Sequence, residues 1–174
     1  MIYYEDSILR IRDLCASDAA VFCREERAQG WIHAEEEKYR ARFADAQTGK
    51  AVALVAEYAG QPAGYINIYP NSHRGSLANQ NLPEIVDFGV LKKFRCRGIG
   101  AKLMDTAEEI AARFADTVYL GVGLDSSYGN AQRMYSKRGY IPDGNGVWYE
   151  NAPAAPDQRY LLDDLALYLL KKLR

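Results

Sequence analysis

The sequence predicts one α/β domain built on a mixed sheet, on three observations: a length suited to one core, a series of β-rich runs, and a strand–helix–strand unit. At 174 residues the chain fits a single domain, 1–174, able to bury a sizeable core without disulfides or metal. Ala51–Tyr58, Gly64–Tyr69 and Glu84–Leu91 follow one another as a meander. Between Val86 and Val122 a helical segment then separates two strand segments. Such a unit closes as a parallel crossover within a mixed sheet, and ligands favour such switch points.

The elements follow in order. Ile8–Leu14 alternates apolar and charged residues and reads as a strand. Ser17 or Asp18 then caps a helix running to about Gln29, which Gly30 ends. A second, charged helix spans His33–Ala46, with Glu35, Glu36 and Glu37 where the macrodipole favours acid; the run is most simply a solvated face. Ala51–Tyr58 and Gly64–Tyr69 flank Ala-Gly-Gln-Pro-Ala and read as a hairpin. Pro70–Leu82 is polar and aperiodic, hence a loop, and Glu84–Leu91 is the next strand. Arg97–Ala115 sets Ile99, Leu103, Ala107, Ile110 and Phe114 at helical spacing. Thr117–Leu124 is a buried strand, and Asn130–Arg138 a short helix stopped by Gly139. Val147–Tyr149 and Tyr160–Leu170 close the chain as strands, although apolar content alone would also allow a helix for the latter.

Composition narrows the function classes. A net charge of -1 argues against a surface that coats nucleic acid, and 48% hydrophobic residues argue against disorder. Cys15, Cys23 and Cys96 are odd in number and lack metal-ligand spacing. With neither a signal-peptide pattern nor a membrane-length apolar run, a cytoplasmic protein that does not contact membranes is expected. His33 and His73 have no HxxxH or CxxC companion, so no metal site is expected, and no Gly-x-Ser-x-Gly elbow announces a serine hydrolase.

The chemistry concentrates in Val86-Asp87-Phe88-Gly89-Val90-Leu91-Lys92-Lys93-Phe94-Arg95-Cys96-Arg97-Gly98-Ile99-Gly100: a strand, a basic turn and a helix opening at paired glycines. Free N–H groups in a helix's first turn, its positive dipole end and close backbone approach at glycine together form an anion cradle. Lys92, Lys93, Arg95, Arg97 and Lys102 add positive charge to an otherwise neutral chain, implying a polyphosphate. Gly98-Ile99-Gly100-Ala101-Lys102-Leu103 satisfies neither the P-loop nor the dinucleotide fingerprint.

At this point the chain resembles the GNAT superfamily of N-acetyltransferases, whose Arg/Gln-x-x-Gly-x-Gly/Ala signature reads here as Arg95-Cys96-Arg97-Gly98-Ile99-Gly100. Asn130-Ala131-Gln132-Arg133-Met134-Tyr135-Ser136-Lys137-Arg138-Gly139-Tyr140 is similar to the superfamily's second motif. The resemblance is clearest over Ala51–Tyr140, extends to the whole chain, and is weakest between Trp31 and Lys50. It implies a mostly antiparallel central sheet with about four flanking helices, splayed between its fourth and fifth strands. Between those strands, at Asp87–Leu91 and Tyr119–Gly123, the pantetheine arm would enter.

The resemblance also implies roles. Backbone N–H groups of Arg97, Gly98, Ile99, Gly100, Ala101 and Lys102, in a turn shared with Arg95 and Cys96, would grip the pyrophosphate of acetyl-CoA, the co-substrate. The main chain of Phe88, Gly89 and Val90 would bond the pantetheine and polarise the thioester carbonyl. Tyr135 matches the general acid that protonates the departing thiolate; without the resemblance it is one packed tyrosine among 13. Asn130 would cap its helix and bond the pantetheine. Glu84 aligns with the general base of several members, its alternative being a solvated acid at a strand end, and some members use water. Asp87 lies at odd offset from Glu84, so both face one substrate only if a bulge intervenes. Trp31, Tyr69, Tyr128, Trp148 and Tyr149 are candidates for the acceptor pocket, or for core.

The expected reaction is direct transfer of acetyl to the primary amine of a small molecule or peptide in a ternary complex, without metal. Glu84, Asp87 and Glu35–Glu37 would suit a cationic acceptor, although surface acids are common. The rivals are a non-catalytic acyl-CoA-binding or sensor module and, more remotely, a nucleotide-binding regulatory domain. The acceptor's identity, the acyl-chain preference beyond acetyl, and the oligomeric state, a homodimer included, are not readable from the sequence.

Overall fold

The computed structural model of the protein describes residues 1–31 and 34–173. His33, the expected start of the second helix, lies outside the described residues. The chain folds as two compact units, Met1–Tyr69 with Val86–Ile110, and Pro70–Ile85 with Ala111–Arg174. The first unit holds β1 (Ile2–Glu5), β2 (Leu9–Asp13), α1 (Asp18–Ala28), α2 (Glu36–Gln47), β3 (Val52–Tyr58), β4 (Gln61–Tyr69), most of β5 (Glu84–Val90) and nearly all of α3 (Ile99–Ala111). The second holds the start of β5, then β6 (Thr117–Gly123), α4 (Gly129–Lys137), β7 (Ile141–Tyr149), β8 (Ala152–Pro153) and β9 (Leu165–Lys172).

The expected class is present: a mixed, mostly antiparallel sheet with four α-helices among the described residues. Strands run in the order β1-β2-β3-β4-β5 in the first unit and β5-β6-β9-β7-β8 in the second. The parallel pair is β5 with β6, registered at Glu84 opposite Tyr119 and Ile85 opposite Leu120, the first two residues of β5.

In the first unit, neighbouring residues of β4 serve opposite faces, as strand geometry requires. A methyl on Gly64 would touch Leu103 of α3, whereas Tyr65 packs edge-on against Phe22 of α1 and Tyr39 of α2, with centroids 5.0 and 5.1 Å apart. Helices α1 and α2 therefore cover one face and α3 the other. Ile99, Leu103, Met104, Ala107 and Ile110 form the buried stripe that their spacing predicts. Full burial of a side chain such as Phe22 contributes about 1.5–3 kcal/mol. Asp18 starts α1 by accepting from the Cys15 amide at 2.7 Å while Arg12 grips it at 2.7 and 2.9 Å. Arg12 also reaches Glu57 of β3 at 2.8 Å, so one guanidinium joins β2, β3 and the head of α1. The Ser17 side chain makes no capping bond.

Several boundaries move. The β3–β4 turn is Ala59-Gly60, both at positive φ (50° and 75°), so Gln61, Pro62 and Ala63 belong to β4. Pro62 sits beside a register shift, where a missing N–H is tolerated. Helix α3 ends at Ala111, short of the expected Ala115. In the second unit β7 begins at Ile141; Gly144 and Gly146 (φ 88° and 75°) mark a register shift between Pro142 and Val147 that disguises it. Strand β9 begins at Leu165, after a 3-10 turn at Leu162–Asp164, and pairs with β6 on one side and β7 on the other. Pairing on both edges decides for strand over helix. The segment Pro70–Leu82 is the expected loop, held where the Tyr119 hydroxyl donates to the Arg74 carbonyl at 3.1 Å and Ser76 bonds Asp143.

Candidate active site

The segment expected to form the anion cradle lies wholly in the first unit. After β5 the Leu91 amide donates to the Ala63 carbonyl at 2.9 Å, and a 3-10 turn at Lys92–Phe94 follows. Cys96 (φ 60°) and Gly98 (φ 79°) are then left-handed on either side of Arg97. Such alternation turns successive N–H groups toward one side, a concavity suited to anions. A methyl on Gly98 would meet nothing within 4 Å, so glycine serves the backbone angle and the approach is open. Ile99, Gly100 and Ala101 follow in the first turn of α3, where amides have no intrahelical acceptor. The Lys102 amide, by contrast, donates to the Gly98 carbonyl at 3.1 Å. Lys102 thus stands one residue deeper in the helix than the free amides.

The basic side chains around this turn are tethered. Arg95 Nε donates to the Val90 carbonyl at 3.1 Å, Arg97 lies 5.2 Å over the Tyr58 ring, and Lys102 lies 4.2 Å over Tyr4. Lys93 pairs with Glu25 at 2.7 Å and, through that bond, holds its carboxyl below the usual range. Lys92 is bound twice to Gln29, its amide to the side-chain oxygen and its ammonium to the main-chain carbonyl, both at 2.8 Å. The end of α1 is thus fastened to the cradle turn.

Strand β5 is irregular at Asp87, which is left-handed at φ 50°. Its carboxylate accepts from Arg42 Nε of α2 at 2.7 Å. Arg42 also donates to the Tyr69 hydroxyl at 2.6 Å, which donates in turn to Asp45 at 2.6 Å. Burial, then Asp45, pushes the Tyr69 phenol up to about 12. One residue before Asp87, the Val86 carbonyl accepts from the buried Asn67 amide at 3.3 Å. Two residues after it, Gly89 lies flat on Tyr65, where a methyl would stand 3.0 Å from the ring. Tyr65 donates to Glu26 at 2.7 Å, a carboxylate only 1% exposed, and accepts from Lys38 at 3.1 Å. Phe88, on the opposite face, packs against Gly100. Phe88, Gly89, Val90, Arg95, Cys96, Gly98 and Gly100 thus fall in one continuous arrangement. Sequence reasoning missed Arg42, which lies where the resemblance is weakest and has no motif spacing to Asp87.

The second unit carries the remaining candidates. Tyr135 of α4 is buried, 5.8 Å from Tyr140 by ring centroids, and burial, then Tyr128, raises its pKa above the ordinary phenol value. Gln132 fastens α4 to the end of β6 by donating to the Gly123 carbonyl at 2.8 Å. Asn130 is exposed and stands inside the first turn, not at the cap. A 3-10 turn at Ser126–Tyr128 runs directly into the helix, and Asp125 caps that turn by accepting from the Ser127 amide at 2.7 Å. Glu84 is 6% exposed, which removes the reading of a solvated strand-end acid. Beside it the phenols of Tyr119 and Tyr168 are raised, first by burial and next by the Glu84 charge.

The acceptor candidates divide between the units. Trp31 is 53% exposed and Tyr69 is bonded to Arg42 and Asp45 in the first. In the second, Tyr128 lies against Gly123, Trp148 meets Tyr168 edge-on at 6.1 Å, and Tyr149 meets Tyr160 at 5.0 Å. Two of the acids proposed to suit a cationic acceptor have cations of their own: Asp87 holds Arg42, and Glu36 pairs with Arg40 at 2.8 Å. No helix among the described residues is long and apolar enough to cross a membrane.

The model of the acetyltransferase (GNAT) family matches residues 19–140. No curated protein sequence matches the chain. Among solved structures, an acetyltransferase of Salmonella typhimurium that modifies the N-terminal serine of a ribosomal subunit protein is similar over 100% of both chains, at 11% identity and a TM-score of 0.71. Ard1 of Thermoplasma volcanium is similar over 96% of this chain and 99% of its own, at 18% identity and a TM-score of 0.70. The Salmonella typhimurium protein yncA, solved with its cofactor acetyl-CoA, is similar over 97% of this chain and 95% of its own, at 16% identity and a TM-score of 0.67.

Proposed function

Because the chain belongs to the acetyltransferase (GNAT) family, we propose that it moves an acetyl group from acetyl-CoA to the primary amine of a small molecule or peptide, the whole chain serving as one catalytic domain in the cytoplasm. The observation that carries this reading is the pair of left-handed residues Cys96 and Gly98 opening α3 on a side that is free of other atoms. That geometry fits a diphosphate, which needs several convergent N–H donors and close backbone approach.

Acetyl-CoA supplies an acyl group on a thiolate leaving group. The amides of Gly98, Ile99, Gly100 and Ala101 hold its diphosphate, while the main chain of Phe88, Gly89 and Val90 bonds the pantetheine and donates toward the thioester oxygen, where negative charge grows. Asn130 bonds the pantetheine. Glu84, buried and beside two phenols, takes the proton from the incoming amine. The amine nitrogen bonds to the carbonyl carbon, the carbon–sulfur bond breaks, and Tyr135 gives its proton to sulfur. The neighbour that acetylates a protein N-terminus supports including peptide amines among the acceptors.

The test is calorimetry with acetyl-CoA followed by an amine panel, N-terminal peptides included, with free thiol as the readout. No heat with millimolar acetyl-CoA removes the reading. Binding with no amine-dependent thiol release leaves the non-catalytic acyl-CoA module.

A further inference from the structure

We propose that Arg42 is a positioning residue, which by gripping Asp87 holds β5 in its left-handed kink and so aims the main chain of Phe88, Gly89 and Val90 at the thioester carbonyl. The proposal rests on the acetyl-transfer reading above. An aspartate at φ 50° occupies a region that side chains with a Cβ enter at a cost, and it persists where the surroundings over-determine it. In a regular strand the peptide plane after residue 87 would face along the ladder. The kink rotates that plane, and with it the Phe88 amide. Keeping Asp87 in this state requires a partner that takes its carboxylate in one place only.

Arg42 is such a partner. Its guanidinium is planar and rigid, and a second edge of it is fixed by the Tyr69 hydroxyl, itself fixed by Asp45. The side chain is therefore already ordered at the point where it meets Asp87 at 2.7 Å. Burial opposes its charge, and Asp87 followed by Tyr69 more than offsets that, leaving the guanidinium raised. Asn67 on the Val86 carbonyl and Tyr65 beneath Gly89 bracket the kink on either side, so the residues before and after it are held while Arg42 sets the angle between them. The same geometry speaks against Asp87 as the general base, since one of its carboxylate oxygens is committed to Arg42.

Glycine tests this directly, because it takes positive φ without strain and needs no grip. The variants are R42M, D87A, D87G and the pair R42M with D87G. Each is measured for kcat and KM by thiol release, for CoA affinity by calorimetry, and for folding by thermal melt. R42M and D87A lower kcat on the order of 10- to 100-fold, while KM for acetyl-CoA moves less than about threefold. D87G keeps kcat within about threefold, and adding R42M to it costs nothing further. If D87G falls as far as D87A, or if R42M keeps its full effect in the D87G background, the positioning role is overturned. Native protein that binds acetyl-CoA and releases no thiol with any amine rejects the parent reading instead, and this proposal with it. Should D87A fail to fold, the D87G pair alone decides.

Discussion

Replacing Tyr135 with phenylalanine removes the proposed acid and keeps its ring. The loss can be bounded from the environment. Burial disfavours the phenolate, so the pKa lies above the ordinary value of about 10, and less than about 1% of the side chain is ionised at pH 7.5. The acid form is therefore complete. Its strength is another matter: the thiol it protonates has a pKa near 8.5, so full transfer runs uphill by at least about 1.5 units, roughly 2 kcal/mol. A donor this weak assists late, when the carbon–sulfur bond is nearly broken and charge on sulfur is large. We expect a loss at the low end of the usual range of about 10²–10⁴, near 10² in kcat or about 2.7 kcal/mol. Thermal stability should change by about 1 kcal/mol or less. The assay compares acetyl-CoA with an acetyl aryl thioester whose thiol is about two units more acidic, for which the cost should shrink below about tenfold. In the native protein the raised pKa places any alkaline fall due to this residue above pH about 10. Unchanged turnover with acetyl-CoA, or an equal loss with both thioesters, refutes the reasoning.

Other substitutions test the frame around the cradle. Arg12→Met leaves Asp18, 3% exposed, without its cation, and should cost about 3–5 kcal/mol, a fall of roughly 10 °C in Tm by calorimetry; Arg12→Lys should recover only part of it. Gly64→Ala sets a methyl 2.8 Å from the Gly89 carbonyl oxygen, a backbone atom that yields poorly. It should lower stability by about 1–3 kcal/mol and weaken CoA binding with it. Gly98→Ala meets open space and suffers only the positive φ already present in the free protein, so it should lower stability by about 1 kcal/mol, a fall of roughly 2–4 °C in Tm by calorimetry, with CoA affinity little changed.

Elements whose signals are local were legible in the sequence. The stripe from Ile99 to Ile110, the Gly139 stop and the turn chemistry between β3 and β4 depend on residues a few positions apart, and each appears close to where it was expected. The turn that opens α3 was legible for the same reason, since Cys96 and Gly98 stand in consecutive sequence with the helix they introduce. What was not legible depends on partners far along the chain. Strand β7 hides behind Pro142, Gly144 and Gly146 because its pairing with β9 overrides their weak strand preference. The Asn130 cap failed because the preceding 3-10 turn, itself capped by Asp125, takes over that task. Arg42 was illegible because the 45 positions that separate it from Asp87 carry no period at all.

The twofold bond between Lys92 and Gln29, with the Lys93–Glu25 pair beside it, makes the tail of α1 and the basic turn after β5 one mechanical piece. A donor molecule that immobilises the turn would then also stiffen residues 25–31, from which the chain departs toward α2. Hydrogen exchange there should slow on adding CoA alone. Initial-rate patterns should accordingly follow a compulsory sequence, nucleotide thioester entering ahead of the amine.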